Sequence, residues 1–343
     1  VRVPVIPRFS STKMQLAINY LSFVFFASFV GIFYMRKKYD AIFTYAPSPV
    51  TVALPAIFFN FFKRIPHIIW IQDLWPEVFM AVEAPKARIF YSAVKNMMKF
   101  IYKKSNLILI QSKDFKLPIS DLGVDETKIK FFPNWAESFF IPIAENISKE
   151  KVAYIPKDDS FKVMFAGNIG AAQSFDTIVD AAIILKDENI SWIILGDGRK
   201  KKWLEAQIKI HSLEDSIVTL GNRPVTEMPY FYSLADVMLV SLKPNPVFSA
   251  WIPGKIQSYL ACGKPIVALL SGAGADVVKE SGSGVTIESG NAEELSDKVM
   301  KLSKMSDSEL LNMGENALKY NDEVFNRDKL ITELECHIKD ILP

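Results

Sequence analysis

From residue 39 onward, short uninterrupted apolar runs alternate with longer segments that carry a single apolar stripe. In the first half the runs are DAIFTYA (40–46), HIIWIQD (67–73), NLILIQS (106–112) and IKFFPN (129–134). In the second half they are FKVMFAG (161–167), SWIILG (191–196), IVTLG (217–221), DVMLVSL (236–242), KPIVALL (264–270) and GVTIES (284–289). A strand without polar alternation is buried on both faces, and helices between such strands make them parallel. The polar stretch AENISKEKVAYIPKDDS (144–160) separates the two sets. The pattern predicts an α/β chain of two Rossmann-like domains facing a cleft. The expected division is 1–145, 146–320, and a C-terminal helix over 321–343 that crosses back to the first domain.

Two helical segments of the first half have a different pattern. Residues 15–35, QLAINYLSFVFFASFVGIFYM, contain no charge over 21 positions and are followed by Arg36, Lys37 and Lys38. That length is enough to span a bilayer. A core helix or one lying shallowly in lipid fits the same pattern, and Asn19, Ser22, Ser28 and Gly31 count against a span. In KARIFYSAVKNMMKFIYKK (86–104), Ile89, Phe90, Ala93, Val94, Met97, Met98 and Ile101 define one apolar face. Lys95, Lys99 and Lys103 stack at i, i+4 on another, as in a surface helix or one docked on anionic lipid.

Charge favours the lipid reading. Residues 1–145 hold 18 Lys and Arg against 10 Asp and Glu, whereas the remainder holds 22 against 28. The basic half is also the more aromatic one, and no nucleic-acid motif accompanies the charge, so an anionic membrane surface is expected and nucleic acid is not. Two cysteines exclude a disulfide framework and suit a reducing compartment. Three scattered histidines without zinc-like spacing give no reason to expect a metal centre or another cofactor.

Candidate chemistry gathers after the second-half strands. In FAGNIGAAQSFDTIVDAA (165–182), the loop Gly167, Asn168, Ile169, Gly170 and then Gln173 precedes a helix start, which suits a phosphate or a plain turn. ILGDGRKKKWLEAQIK (194–209) places Gly198 and Arg199 at the carboxyl end of a strand, with Lys200 to Lys202 read as a solvated helix start. Gly-Asn-Arg-Pro at 221–224 adds Arg223. In VFSAWIPGKIQSYLACGKPIVA (247–268), Pro253 suits the first turn of a helix, Gly254 leaves room, and Lys255 and Gln257 are expected to face the cleft. A diphosphate there would gain unpaired N–H groups, the helix dipole and a lysine charge.

The order of these motifs resembles glycosyltransferase family 4, over nearly the whole chain. APSP (46–49), WIQDLWPE (70–77) and FFPNWAE (131–137) extend the likeness into the first half. The set QDLWPE, GNIGAAQ and IPGKIQSYLACGKP is most similar to the WbuB-type branch, L-fucosamine transferases of O-antigen assembly. The resemblance implies the GT-B architecture, a donor bound mainly by the second domain, no required metal, and retention of configuration. It also implies UDP-N-acetyl-L-fucosamine as donor, a lipid-linked saccharide as acceptor, and work at the inner face of the cytoplasmic membrane.

Two departures accompany the likeness. The paired glutamates of many relatives correspond to Ser249 and Gln257, and the basic pair that grips the diphosphate corresponds to Asn168 and Gln173. Lys255, then Arg199, are expected to supply the missing positive charge. The strand, Gly-rich turn and helix that open similar enzymes, roughly 50–60 residues by the size of a βαβ unit, have no counterpart before VRVPVIPR. The first domain is therefore expected to be truncated, and a catalytically inactive scaffold is the rival to a transferase. On the acceptor side, Asp73 is expected to orient a hydroxyl or act as base, with Trp75 stacking on a sugar and Glu77 beside it; Asp73 as a simple helix cap is the alternative.

Overall fold

All ten apolar runs are strands in the computed structural model, and every pairing among them is parallel. The structure describes residues 2–9, 12–34, 38–77, 88–144 and 159–342. The expected dividing stretch and the start of the segment at 86–104 lie largely outside these residues. The chain forms two compact units, Val1–Pro133 with Asp328–Pro343, and Asn134–Arg327.

In the first unit β1 (Ile42–Ala46), β2 (His67–Ile71), β3 (Leu107–Ile110) and β4 (Ile129–Phe131) pair in sequence order. His67 ties the layers together: its ring bonds Thr44 Oγ1 at 2.9 Å and Ser105 Oγ at 3.1 Å. Burial lowers its pKa to about 4, so the ring is neutral. On this sheet lies α2 (Leu54–Lys63), which also packs against α1 (Lys13–Tyr34) and α3 (Arg88–Lys104).

The polar residues that weigh against a spanning α1 have a local use. Ser22 Oγ accepts the Ile6 N–H at 3.0 Å, Asn19 Nδ2 donates to Ile6 O at 2.6 Å, and Asn19 Oδ1 accepts from Arg8 at 3.2 Å. They hold the residues before α1, and Gly31 lets the Phe59 ring of α2 pack closely. The remaining face is apolar and exposed at Met14, Ile18, Leu21, Phe25, Phe29 and Ile32, one helical stripe. By length and composition α1 could cross a membrane. In α3 the buried stripe is Val94, Met98, Ile101 and Tyr102, while Ala93 is exposed. Tyr102 joins the buried stripe, since long helical side chains lean toward the preceding turn. Ile89 and Phe90 have no described side chains.

The second unit holds a six-stranded sheet: β5 (Phe161–Ala166), β6 (Ile190–Leu195), β7 (Ile217–Gly221), β8 (Val237–Ser241), β9 (Ile266–Leu269) and β10 (Gly284–Ile287). Their order is β10-β9-β8-β5-β6-β7. Both faces are covered, which is why the runs lack polar alternation. Val163 and Phe165 pack into one core layer with Phe175 and Trp192, while Met164 and Ala166 pack into the other with Tyr259 and Ile256. The helices needed below are α4 (Phe175–Ile184), α5 (Lys201–Ile210), α6 (Gly254–Ala261) and α7 (Asp307–Val324). A capping box between Ser306 and Glu309 starts α7. Gly314 of α7 lies against the Gly263 carbonyl, so the two helices approach with no room for a side chain.

Candidate active site

Strand order in the second unit reverses between β5 and β8, and open α/β sheets bind ligands beyond the carboxyl ends at such a switch point. Three glycines end the neighbouring strands there: Gly167 (φ 132°), Gly196 (φ 137°) and Gly221 (φ 67°). A side chain at Gly196 would overlap the Gly167 carbonyl, and one at Gly198 would come within 2.6 Å of Asn168 Oδ1. Freed of side chains, the loops lace together. Gly167 N–H donates to Leu195 O, Ile169 N–H to Asp197 O and Gly196 N–H to Gly221 O, each at 2.8 Å. Gly170 N–H donates to Gln173 Oε1 at 3.1 Å, so Gln173 shapes the loop.

The helix mouth of α6 faces this loop. Pro253 is the N-cap (φ −61°, ψ 130°) rather than the first helical residue, and Gly254 opens the helix with no side chain capping it. A Cβ on Gly254 would meet nothing within 4 Å, so the backbone there is open to a ligand.

Lys255 follows, and its ammonium departs from the expectation of a free, cleft-facing group. Nζ is buried, has no hydrogen-bond partner, and sits 3.6 Å from the centroid of the Phe165 ring. It lies over Gly167, where a Cβ would come within 2.9 Å of Nζ. Desolvation lowers its pKa from 10.5 to about 7, because the ring face offsets only part of the lost hydration. Gln257 is likewise buried, 1% exposed. With its amide set to meet its neighbours, it donates to Pro253 O at 2.9 Å and Gly254 O at 3.2 Å. It turns back on the helix mouth, where the Pro253 carbonyl, which already accepts the Ile256 N–H at 2.9 Å, and the Gly254 carbonyl lie within its reach.

Among the remaining expected donor-side residues, Arg199 is exposed and without a partner among the described residues, and Arg223 is half-buried. Lys200 is not simply solvated. Its Nζ pairs with Asp176 Oδ1 at 2.6 Å, while Lys243 Nζ pairs with Oδ2 at 2.9 Å. Burial pushes the Asp176 carboxyl up, but the two ammonium groups outweigh it and hold the pKa below the ordinary range. The sequence reading missed this cluster. Its members come from three separate strand ends, and the only local signal was an acid in the first turn of α4.

In the first unit, Ser48, Asp73 and Trp75 follow β1 and β2 at the carboxyl edge of that sheet. Ser48 Oγ accepts the Trp75 indole N–H at 3.0 Å. Burial raises the Asp73 pKa, and a hydrogen bond with Ser48 offsets part of the rise. Asp73 is thus a half-buried carboxylate fixed through Ser48. Glu77 is half-buried, close enough to Tyr102 to push that phenol upward behind the larger effect of its burial. Among the described residues, no three His, Cys, Asp or Glu side chains gather as a metal site.

Comparisons with known proteins identify the family and the fold. The sequence model of the family "Glycosyl transferases group 1" matches residues 146–320, just over half of the chain. WbjE of Pseudomonas aeruginosa, named as a probable glycosyltransferase, is 27% identical over 230 residues, which is 63% of this chain and 54% of WbjE. WcaI of Escherichia coli K12, whose name places it as a glycosyl transferase in colanic acid biosynthesis, is 27% identical over 143 residues, 41% of this chain and 35% of WcaI. The chain thus spans about half the length, or less, of these relatives. The crystal structure of Anabaena HepE in complex with UDP superposes with a TM-score of 0.74 at 16% identity, covering 94% of this chain and 84% of HepE. That likeness establishes the fold, α/β with parallel sheets as in GT-B glycosyltransferases.

Proposed function

The chain belongs to the group 1 glycosyl transferases, and on that premise we propose that it moves a sugar from a nucleotide diphosphate to an acceptor hydroxyl in surface polysaccharide assembly. The observation that carries the proposal is Lys255: a buried ammonium with no partner, at an uncapped helix mouth, beside a glycine loop. An unpaired buried charge is costly, and it makes sense where an anionic ligand supplies the missing partner.

A diphosphate lodged between Pro253–Lys255 and Gly167–Gly170 would pair with that ammonium and with peptide N–H groups. Transfer breaks the bond between the sugar anomeric carbon and the phosphate oxygen, and negative charge grows on the leaving diphosphate. Donors fixed in advance at that point stabilise the transition state, and Lys255 supplies the positive charge without requiring a metal ion. The half-exposed Asp176–Lys200–Lys243 cluster ties together the loops that follow three strands. Asp73, with its raised pKa, is assigned to the acceptor hydroxyl, with Trp75 and Glu77 beside it. The nucleotide bound by HepE and the pathway in the name of WcaI support a nucleotide-sugar donor and a polysaccharide product.

Finer assignments rest on the motif likeness: UDP-N-acetyl-L-fucosamine as donor, a lipid-linked saccharide as acceptor, retention of configuration, and action at the inner face of the cytoplasmic membrane.

The test is a panel of nucleotide sugars and free UDP in a thermal-shift assay with native chain and Lys255→Ala. A ligand that binds the folded state raises its apparent stability. A UDP-dependent rise in Tm that Lys255→Ala abolishes supports the site, and no shift with any nucleotide sinks it. Binding without transfer or donor hydrolysis would leave the inactive scaffold as the better reading.

A further inference from the structure

A groove of about 710 Å³ lies between α2 and α3, at the amino-terminal edge of the first unit's sheet. That edge is opposite the one carrying Ser48, Asp73 and Trp75, so the groove is not part of the proposed acceptor site. Its walls are Phe58, Phe61 and Phe100, and its rim carries Lys103, Lys104 and Lys128. No acid lines it, and none of the three lysines is in an ion pair among the described residues. Lys128 donates a long hydrogen bond, 3.4 Å, to Ser105 O and interacts electrostatically with Asp125. Phe61 is 77% exposed, an unfavourable position for a phenylalanine in water.

We propose that this groove holds an anionic phospholipid of the bilayer, its phosphate among Lys103, Lys104 and Lys128 and its acyl chain against Phe58, Phe61 and Phe100. Two features single out a lipid. The aromatic walls suit an apolar tail, which a free nucleotide or phosphate does not have, and three ammonium groups outside any ion pair among the described residues suit an anionic head. α1, with its exposed apolar stripe, also packs against α2. A helix of this kind lies in the headgroup region with its apolar face toward the acyl chains. The inference is independent of the transfer chemistry.

The experiment measures flotation of the full chain with phosphatidylcholine vesicles and with mixed phosphatidylcholine–phosphatidylglycerol vesicles. Each charge near such a surface contributes on the order of 1 kcal/mol, so Lys103→Gln/Lys104→Gln is expected to weaken binding to the mixed vesicles about tenfold or more. Lys95→Gln/Lys99→Gln, on the same helix but outside the groove, is expected to lose several-fold less. Phe100→Trp is expected to show added fluorescence quenching by phosphatidylglycerol with brominated acyl chains, relative to the native chain. Unchanged Tm values confirm that the variants fold. Equal losses in the two lysine pairs, equal affinity for pure phosphatidylcholine, no loss in Lys103→Gln/Lys104→Gln, or no added quenching would each overturn the groove as a lipid site.

Discussion

At the scale of single residues, Lys255 carries the most testable consequences. Lys255→Ala is expected to lower kcat/KM about 100-fold or more, the usual cost of losing one preorganised donor at a developing negative charge. The lowered pKa also gives a pH signature. Between pH 7 and 10.5 the unfolded chain holds a proton on Lys255 that the folded, donor-free chain does not. Stability from this group therefore rises with pH across that window, and the penalty is full below pH 7. Lys255→Met is expected to raise Tm at pH 7 in the absence of ligand, with the gain shrinking toward pH 10; calorimetry at both ends checks it. A diphosphate bound beside the ammonium restores its proton. UDP binding is thus expected to take up a proton and to weaken as pH climbs above 7, which titration in buffers of different ionisation enthalpy measures. On the other unit, Asp73→Asn is expected to lower kcat more than it changes donor KM. The reverse pattern in steady-state kinetics would remove Asp73 from the acceptor side.

Among elements, the laced glycine loops and the His67 contacts carry the local constraints. Gly196 has positive φ and no room for a side chain against Gly167. Gly196→Ala is expected to cost about 3 kcal/mol or more in urea unfolding, and to disturb nucleotide binding with it. His67 joins β1, β2 and the end of α3 as a neutral ring. With its folded pKa near 4 against an ordinary 6.5, the unfolded chain binds the extra proton, and stability is lost as pH falls through that interval. His67→Gln is expected to cost about 1–3 kcal/mol at pH 7 by leaving hydroxyls imperfectly paired. It is also expected to flatten the acid limb between pH 6.5 and 4, as followed by circular dichroism. These elements show how local pattern was overruled. The stripe of α3 recruits Tyr102, and Pro253 caps α6 from outside, both adjustments of about one residue set by what each side chain can reach.

For the whole molecule, the uneven charge and the exposed apolar surface fall in the same part of the chain. The basic first 145 residues include the stripe of α1 and the lysine-rimmed groove. Salt is therefore expected to weaken vesicle binding without changing UDP affinity at Lys255 to a similar degree, since exposed charges are screened more than buried ones. Vesicle flotation and UDP titration across one salt series compare the two.

Strands were legible from the sequence because a run buried on both faces has to be apolar throughout, and each of the ten runs contains its strand. The glycine turns were legible for a related reason: chain reversals after parallel strands need positive φ or a close approach, as at Gly167 and Gly196. Motif order by itself also pointed to the group 1 glycosyl transferases, the level at which the family is established. Tertiary structure alone decided the electrostatics. Whether Lys255 meets water or the Phe165 ring depends on a strand ninety residues earlier. Asp176, Lys200 and Lys243 form a cluster only because the sheet brings three distant strand ends to one edge. Charge and pKa are set by what surrounds a group in space, and local spacing along the chain does not contain that information.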